Sequence, residues 1–159
     1  MGGRCTPRPS SGPRETARPI ARAVGLRVRT HRGLNECDFG EWTGAQLGGL
    51  RKRAEWRTVQ QLPERLPLPR RGVLRRDADA HLPTRSGTWP TRHPGETVVA
   101  LSHADPIKAA VADALGTHLD LFQRIVISTC SVTAIHIAST GPVVLTVNAT
   151  SDLGELKLS

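Results

Sequence analysis

Residues 96–106 constrain the fold of this chain more than any other stretch, because an apolar run there leads directly into a helix pattern. Residues 97–101 form a short run of β-branched or apolar residues without alternation, which is typical of a strand covered on both faces in an α/β sheet. Asp105 is a good N-cap, Pro106 suits the first helical position, and Gly116 is a typical C-terminal stop. The pattern therefore predicts a buried strand followed at once by a helix.

His103 falls between that predicted strand and that predicted helix. The carboxyl ends of strands in open α/β sheets form the crevice where ligands bind, and the free N–H groups of a helix N-terminus favour anions such as phosphate. His103 is thus a candidate anion-binding residue. The alternative is that its side chain only satisfies a turn.

Length and composition fit a single domain with a hydrophobic core, since the chain has 159 residues, 38% of them hydrophobic. No secretory leader or membrane span is evident, so we expect a cytoplasmic protein. The three cysteines, Cys5, Cys37 and Cys130, show no metal-ligand spacing and are expected as free thiols. Neither a metal nor a cofactor is expected.

The N-terminal half alternates between patterned and patternless stretches. Residues 1–13 are rich in Gly, Pro, Arg and Ser and are expected to be disordered. A helical stripe then runs to Gly25, residues 26–29 alternate like a short strand, and residues 46–61 are expected to be helical. Residues 63–92 again lack a usable apolar period, which is unusual inside a compact domain.

Two further strands are predicted near the C-terminus, at residues 124–138 and 143–147. The turn-rich connection 139–142 favours antiparallel pairing, at the edge of a sheet. Earlier in the chain, residues 34–44 hold three acids, two aromatics and two glycines, a composition more typical of a working loop than of a linker.

Three motifs occur in the order seen in the histidine phosphatase superfamily, the phosphoglycerate mutase-like proteins. These are Arg-Glu-Thr-Ala at 14–17, Leu-Asn-Glu with Phe-Gly-Glu-Trp-Thr-Gly at 34–44, and Val-Ala-Leu-Ser-His at 99–103. The second and third are fairly specific together. The resemblance covers residues 14–61 and 92–148 and implies a three-layer α/β/α fold that hydrolyses phosphomonoesters through a phosphohistidine.

The resemblance also implies roles for individual residues. His103 resembles the second histidine of the family site, which binds the phosphoryl oxygens and stabilises their charge. Glu36 resembles the acid that protonates the leaving oxygen, and Arg14 resembles a pocket arginine that binds phosphate. Such groups suit phosphoryl transfer, which requires positive charge at the equatorial oxygens and a proton for the leaving group.

The chain departs from the family in one important respect, because the Arg-His-Gly motif that supplies the nucleophilic histidine is absent from the sequence. In the family this motif follows a central first strand. We therefore expect an incomplete domain over residues 14–159, inactive in its present form. A first strand that is lacking would leave backbone groups of its neighbours unpaired.

The two patternless stretches suggest an explanation. Back-translated with GC-rich codons and shifted by one base, residues 3–13 and 66–92 can encode segments of the kind that this family carries at those positions. We therefore hypothesise that both are read out of frame. Residues 2–13 and 66–91 account for five of the eight net positive charges, so the basic character of the chain is in part a product of these stretches.

The alternative function is that of a small basic nucleic-acid-binding protein, suggested by the net charge of +8. The sequence lacks the aromatic platforms, zinc spacing and helix-turn-helix signature that would support it. By resemblance the expected partner is a small phosphorylated metabolite, as in α-ribazole-phosphate phosphatases. The resemblance also suggests an upstream partner domain, since some members of the family follow a ribonuclease H domain.

Overall fold

The computed structural model describes residues 11–31, 34–36, 47–53 and 92–151. Within these ranges the chain forms helices, a 3₁₀ helix and a two-stranded sheet. Their bounds, in chain order, are α1 (Ser11–Ala23), α2 (Leu47–Leu50), α3 (Ala104–Leu115), the 3₁₀ helix Leu119–Arg124, β1 (Val132–Ala138) and β2 (Gly141–Ala149). None of the helices in these ranges is long and apolar enough to cross a membrane.

Helix α3 confirms the helix predicted after residue 103 but begins earlier than expected. Its N-cap is His103, so the assignment of Asp105 as N-cap and of Pro106 as the first helical residue was wrong. Asp105 instead lies in the first turn, where its negative charge interacts favourably with the positive end of the helix dipole. Gly116 ends the helix as predicted, with φ 66° and its N–H bonded to the carbonyls of Ala112 and Asp113.

The core of the described structure lies between α3 and the 3₁₀ helix that follows it. Ala112 and Phe122 are each 1% exposed and pack together, with Leu119 and Ile125 against them. Lys108 reinforces this packing, since its ammonium reaches Asp105 and Gln123 at 3.2 Å each and lies 5.9 Å from the ring centre of Phe122. The apolar packing and the Lys108–Gln123 bond therefore join the two helices, while the Lys108–Asp105 bond lies within α3.

Strands β1 and β2 form an antiparallel hairpin, which confirms the predicted pairing. The predicted start at residue 124 was wrong, because the 3₁₀ helix runs to Arg124 and β1 starts only at Val132. The pairing is shifted in register between Val132 and Ile135. Asn148, at φ 58°, accepts a hydrogen bond from the Ser128 N–H at 2.6 Å through its side-chain oxygen, which ties β2 to the preceding loop.

Helix α1 forms where the apolar stripe predicted it and is followed by Gly25 at φ 70°. It starts at Ser11, so residues 11–13, expected to be disordered, are helical; residues 1–10 lie outside the described part of the chain. The hydroxyl of Thr16 bonds the Gly12 carbonyl at 3.1 Å. Only Ala17 among its described side chains is buried, so α1 is a largely exposed helix.

The strands predicted at 97–101 and 26–29 do not form, since neither segment has strand hydrogen bonding within the described residues. Val99 is 67% exposed, in contrast to the buried strand predicted at 97–101, and Leu26 is 70% exposed. A strand exists only where a neighbour pairs with its backbone. The described elements still combine helices with a small antiparallel sheet, which confirms the predicted fold class as mixed α and β.

Two other predictions concern the middle of the chain. Of the helix expected over 46–61, the structure describes the short α2, followed by a turn through residue 53. Residues 54–61 lie outside the described ranges, and so does the irregular stretch 63–92 except for Arg92.

Candidate active site

His103 lies at the N-terminus of α3, as the N-cap residue. Its backbone is extended, with φ −99° and ψ 171°, and its side chain makes no capping hydrogen bond to the helix. The first amide groups of an α-helix have no acceptor within the helix, and the helix dipole makes this end positive. The imidazole is therefore next to a backbone environment that favours a bound anion.

The structure brings Glu36 to the same place, although 67 positions separate the two residues in sequence. The Oε2 atom of Glu36 is 3.6 Å from Nδ1 of His103. Their side chains are 38% and 29% exposed, so both are accessible from solvent while being partly enclosed. A carboxylate and an imidazole at this separation can share or exchange a proton through a small movement.

The two ring nitrogens of His103 differ in their surroundings. Nδ1 faces Glu36, while Nε2 is inaccessible to solvent and has no hydrogen-bond partner among the described residues. Burial lowers the pKa of His103 below its usual value of 6.5. Desolvation thus outweighs the nearby carboxylate, and the ring favours its neutral form near pH 7.

Arg14, the third candidate, lies on the exposed surface of α1, in its first turn. No described hydrogen bond or ion pair joins it to His103 or to Glu36. The structure therefore brings together two of the three candidate residues. Asp38 and Glu41, the other acids of the working loop, and its two aromatic residues lie outside the described residues.

Sequence reasoning missed one residue beside the site, Ser102. Its hydroxyl donates a hydrogen bond of 2.8 Å to the carbonyl of Leu34, two residues before Glu36. The only signal in the sequence is that Ser102 adjoins His103, and adjacency alone does not predict a partner so distant in the chain.

Other histidines form local contacts away from this pair. His93 pairs with Glu96 at 2.9 Å across one turn, and Nδ1 of His118 accepts the Asp120 N–H at 3.3 Å at the start of the 3₁₀ helix. Across the described ranges, no group of three or more His, Cys, Asp or Glu residues is arranged to hold a metal ion.

Comparison with known proteins decides the family. A model of the histidine phosphatase superfamily, branch 1, matches residues 11–150, which is most of the chain. The chain belongs to the histidine phosphatase superfamily. This confirms the resemblance carried by the three motifs, and the match spans both His103 and Glu36. No protein in the curated comparison matches the chain significantly.

A solved structure supports the same fold. The chain is similar to a mutant phosphoserine phosphatase from Entamoeba histolytica, crystallised in complex with phosphoserine, with a TM-score of 0.67 and 18% sequence identity. The similarity covers 82% of this chain and 66% of that one. At this level of identity, the likeness shows that this chain shares the fold of that protein.

Proposed function

We propose that His103 and Glu36 form part of a phosphomonoesterase site, in which His103 binds the phosphoryl group and Glu36 protonates the leaving oxygen. The observation that carries this proposal is the 3.6 Å contact between the Glu36 carboxylate and the His103 ring at the N-terminus of α3. The combination supplies a proton donor beside an anion-favouring helix end. Membership of the histidine phosphatase superfamily is consistent with it.

The proposed roles of His103 and Glu36 follow from the charges on the phosphoryl group and on the leaving oxygen. The phosphoryl oxygens need hydrogen-bond donors and positive potential, which an imidazole N–H and the helix N-terminus provide. The departing alkoxide needs a proton, which a protonated Glu36 can give. Arg14 remains a proposed phosphate ligand in this scheme, because a guanidinium binds phosphate in a bidentate manner.

The proposal includes a second part, that the 159-residue chain binds phosphate but does not turn over phosphomonoesters. Its sequence has no Arg-His-Gly motif, so no residue is assigned as the nucleophile. Val98 and Val99, in the segment expected to be a buried strand, are exposed, and no strand pairs with this segment within the described residues, which supports the proposal. Without an attacking group, the acid and the phosphoryl ligand have no covalent step to assist.

Binding is tested first, with inorganic phosphate and phosphoserine as probes, by titration calorimetry. Wild type is expected to bind both, and His103→Ala is expected to weaken binding by about tenfold, the usual effect of removing one hydrogen bond to a charged group. His93→Ala is the matched control, since it removes a histidine from another histidine–carboxylate pair. Equal affinity in wild type and His103→Ala would reject His103 as a ligand. Arg14→Ala tests its own assignment in the same way.

Turnover of p-nitrophenyl phosphate tests the second part. We expect no release of p-nitrophenol above the background rate by the 159-residue chain. Clear activity that His103→Ala abolishes would contradict the claim that the lacking motif disables the protein. In a chain that carries the motif, His103→Ala and Glu36→Gln should each reduce kcat by about 100-fold or more, as expected for a phosphoryl ligand and a general acid.

Determining the nucleotide sequence from upstream of the Met1 codon through the His93 codon tests the reading-frame hypothesis. Single-base corrections together with an upstream Arg-His-Gly codon set would establish a complete histidine phosphatase gene. An unchanged sequence would reject the hypothesis and leave the basic stretches as genuine protein. The substrate class that we propose for the restored protein is a small phosphorylated metabolite.

A further inference from the structure

Two successive residues tie residues 34–36 to the segment that leads into α3. Ser102 donates its hydroxyl to the Leu34 carbonyl at 2.8 Å, and the next residue, His103, faces Glu36. The Ser102 bond is short, partly buried and joins positions 68 apart in the sequence. Its acceptor is a main-chain carbonyl, so it fixes the course of the backbone as well as one side chain.

We propose that Ser102 is a positioning residue: its hydroxyl anchors the main chain at Leu34 and thereby holds the Glu36 carboxylate beside His103. This inference deepens the proposed function and rests on it for the catalytic meaning of Glu36. Ser102 itself is not assigned any contact with the substrate.

The local backbone explains why such an anchor matters. The Leu34 N–H donates a turn hydrogen bond to the His31 carbonyl at 3.1 Å. Within the described structure, residues 34–36 belong to neither an α-helix nor a strand. Glutamate has three rotatable side-chain bonds and loses conformational freedom when it is held in one place. A displacement of about 1 Å in a catalytic group can cost 100-fold in rate, so an anchored carbonyl two residues away is a useful constraint.

The electrostatic surroundings allow the position of Glu36 to be measured without any activity. Glu36 places a carboxylate oxygen 3.6 Å from the His103 ring, and Asp105, in the first turn of α3, pairs with Lys108 at 3.2 Å. The Asp105–Lys108 pair stays the same in every variant below. Changes in the protonation of His103 therefore report on the carboxylate of Glu36.

The experiment follows the ring protons of His103 by NMR as a function of pH in the 159-residue chain. Glu36→Gln should lower the pKa of His103 further, since a nearby carboxylate stabilises the imidazolium. Ser102→Ala should lower it by a comparable amount, because Glu36 is released. The double variant should match Glu36→Gln alone, because the two changes act through one contact.

Two further variants sharpen the measurement. Ser102→Thr keeps a hydroxyl donor and should retain the wild-type pKa of His103. Ser131→Ala is the matched control, because the Ser131 hydroxyl also donates a 2.8 Å bond to a main-chain carbonyl, that of Ser128, but this bond is local and exposed. It should leave His103 unchanged. If Ser102 only stabilised the fold, Ser102→Ala would change the pKa of His103 by the same amount whether residue 36 is Glu or Gln.

The inference is overturned if Ser102→Ala leaves the pKa of His103 at the wild-type value, or lowers it equally in the Glu36→Gln background. If Ser102→Ala unfolds, as judged by amide chemical-shift dispersion, Ser102→Cys replaces it, since a thiol is a weaker donor of similar size. A pKa between those of wild type and Glu36→Gln is then expected, and the wild-type value overturns the proposal. Failure of the proposed function would appear separately, as absent phosphate binding with this pattern of pKa values intact.

Discussion

Apolar residues in the C-terminal part of the molecule and in the segments around Leu26 and Val99 differ in burial. In the C-terminal part, Val111 and Phe122 are each 1% exposed, and the hairpin packs against α3. Leu26 and Val99 are mostly exposed and belong to no sheet within the described residues. The difference does not come from hydrophobicity.

What separates the two regions is the availability of partners nearby in the chain. Residues 104–149 supply their own neighbours: α3 meets the 3₁₀ helix a few residues later, and β1 meets β2 across a two-residue connection. A segment whose sequence predicts a central strand forms that strand only when other strands, from elsewhere in the chain or from another chain, pair with it. Apolar residues without such partners stay in contact with water, whatever their β-propensity.

The largest expected effect comes from truncating one apolar side chain in each region and comparing the losses in the free energy of unfolding. Phe122→Ala should reduce the free energy of unfolding by about 3–5 kcal/mol, because it removes a buried ring and leaves a cavity. Val99→Ala should change it by less than about 0.5 kcal/mol, as expected for an exposed position. Urea denaturation measures both. A Val99→Ala loss comparable to that of Phe122→Ala would mean that residue 99 is buried after all.

A smaller effect concerns how the two long helices are built. Gly116 adopts φ 66° at the end of α3, so Gly116→Ala should destabilise the protein by about 1–2 kcal/mol through left-handed backbone strain. Gly12 lies inside α1 with open space around an added Cβ, so Gly12→Ala should be neutral or stabilise by up to about 1 kcal/mol. Thermal denaturation by circular dichroism compares the two. Equal shifts of Tm in the same direction would contradict the assignment of Gly116 as a cap.

The smallest expected effect is the pH dependence of stability that His103 contributes. Burial lowers the pKa of His103 below 6.5, so the unfolded chain binds the proton more readily than the folded chain does. The stabilising contribution is therefore complete above about pH 6.5 and is lost as the pH falls through the folded-state pKa. His103→Gln should flatten the decrease in stability between pH 7 and pH 5 in urea denaturation. A slope identical to that of wild type would exclude His103 as its source.

The local features of the C-terminal part were predictable because their causes lie within a few residues. Gly116 ends α3 because glycine adopts the left-handed conformation readily, and the apolar stripe of α3 packs as its spacing predicts. The exact helix start was not predictable. Asp105 and His103 are both acceptable before a helix, and the chain begins the helix at Ala104, one residue after His103. Boundaries depend on competition between near-equivalent local bonds.

In the candidate site too, some features were predictable from the sequence and others were not. The motifs identified His103 and Glu36 as residue types suited to phosphoryl chemistry, and they indicated the family that the comparison confirmed. They did not show that Ser102 would bond the Leu34 carbonyl. Side-chain bonds between distant segments depend on how the backbone brings them together, and no local pattern encodes that distance.

The sequence by itself determined the family, the helix that follows His103, its glycine stop and the antiparallel hairpin, since each depends on short-range periodicity, backbone preferences or an ordered set of motifs. Only the tertiary structure decided that Glu36 meets His103, that Arg14 lies on an exposed helix surface, and that residues 97–101 form no strand within the described chain. Those outcomes depend on which distant segments become neighbours. Burial and strand pairing are properties of such neighbours, and not of a segment alone.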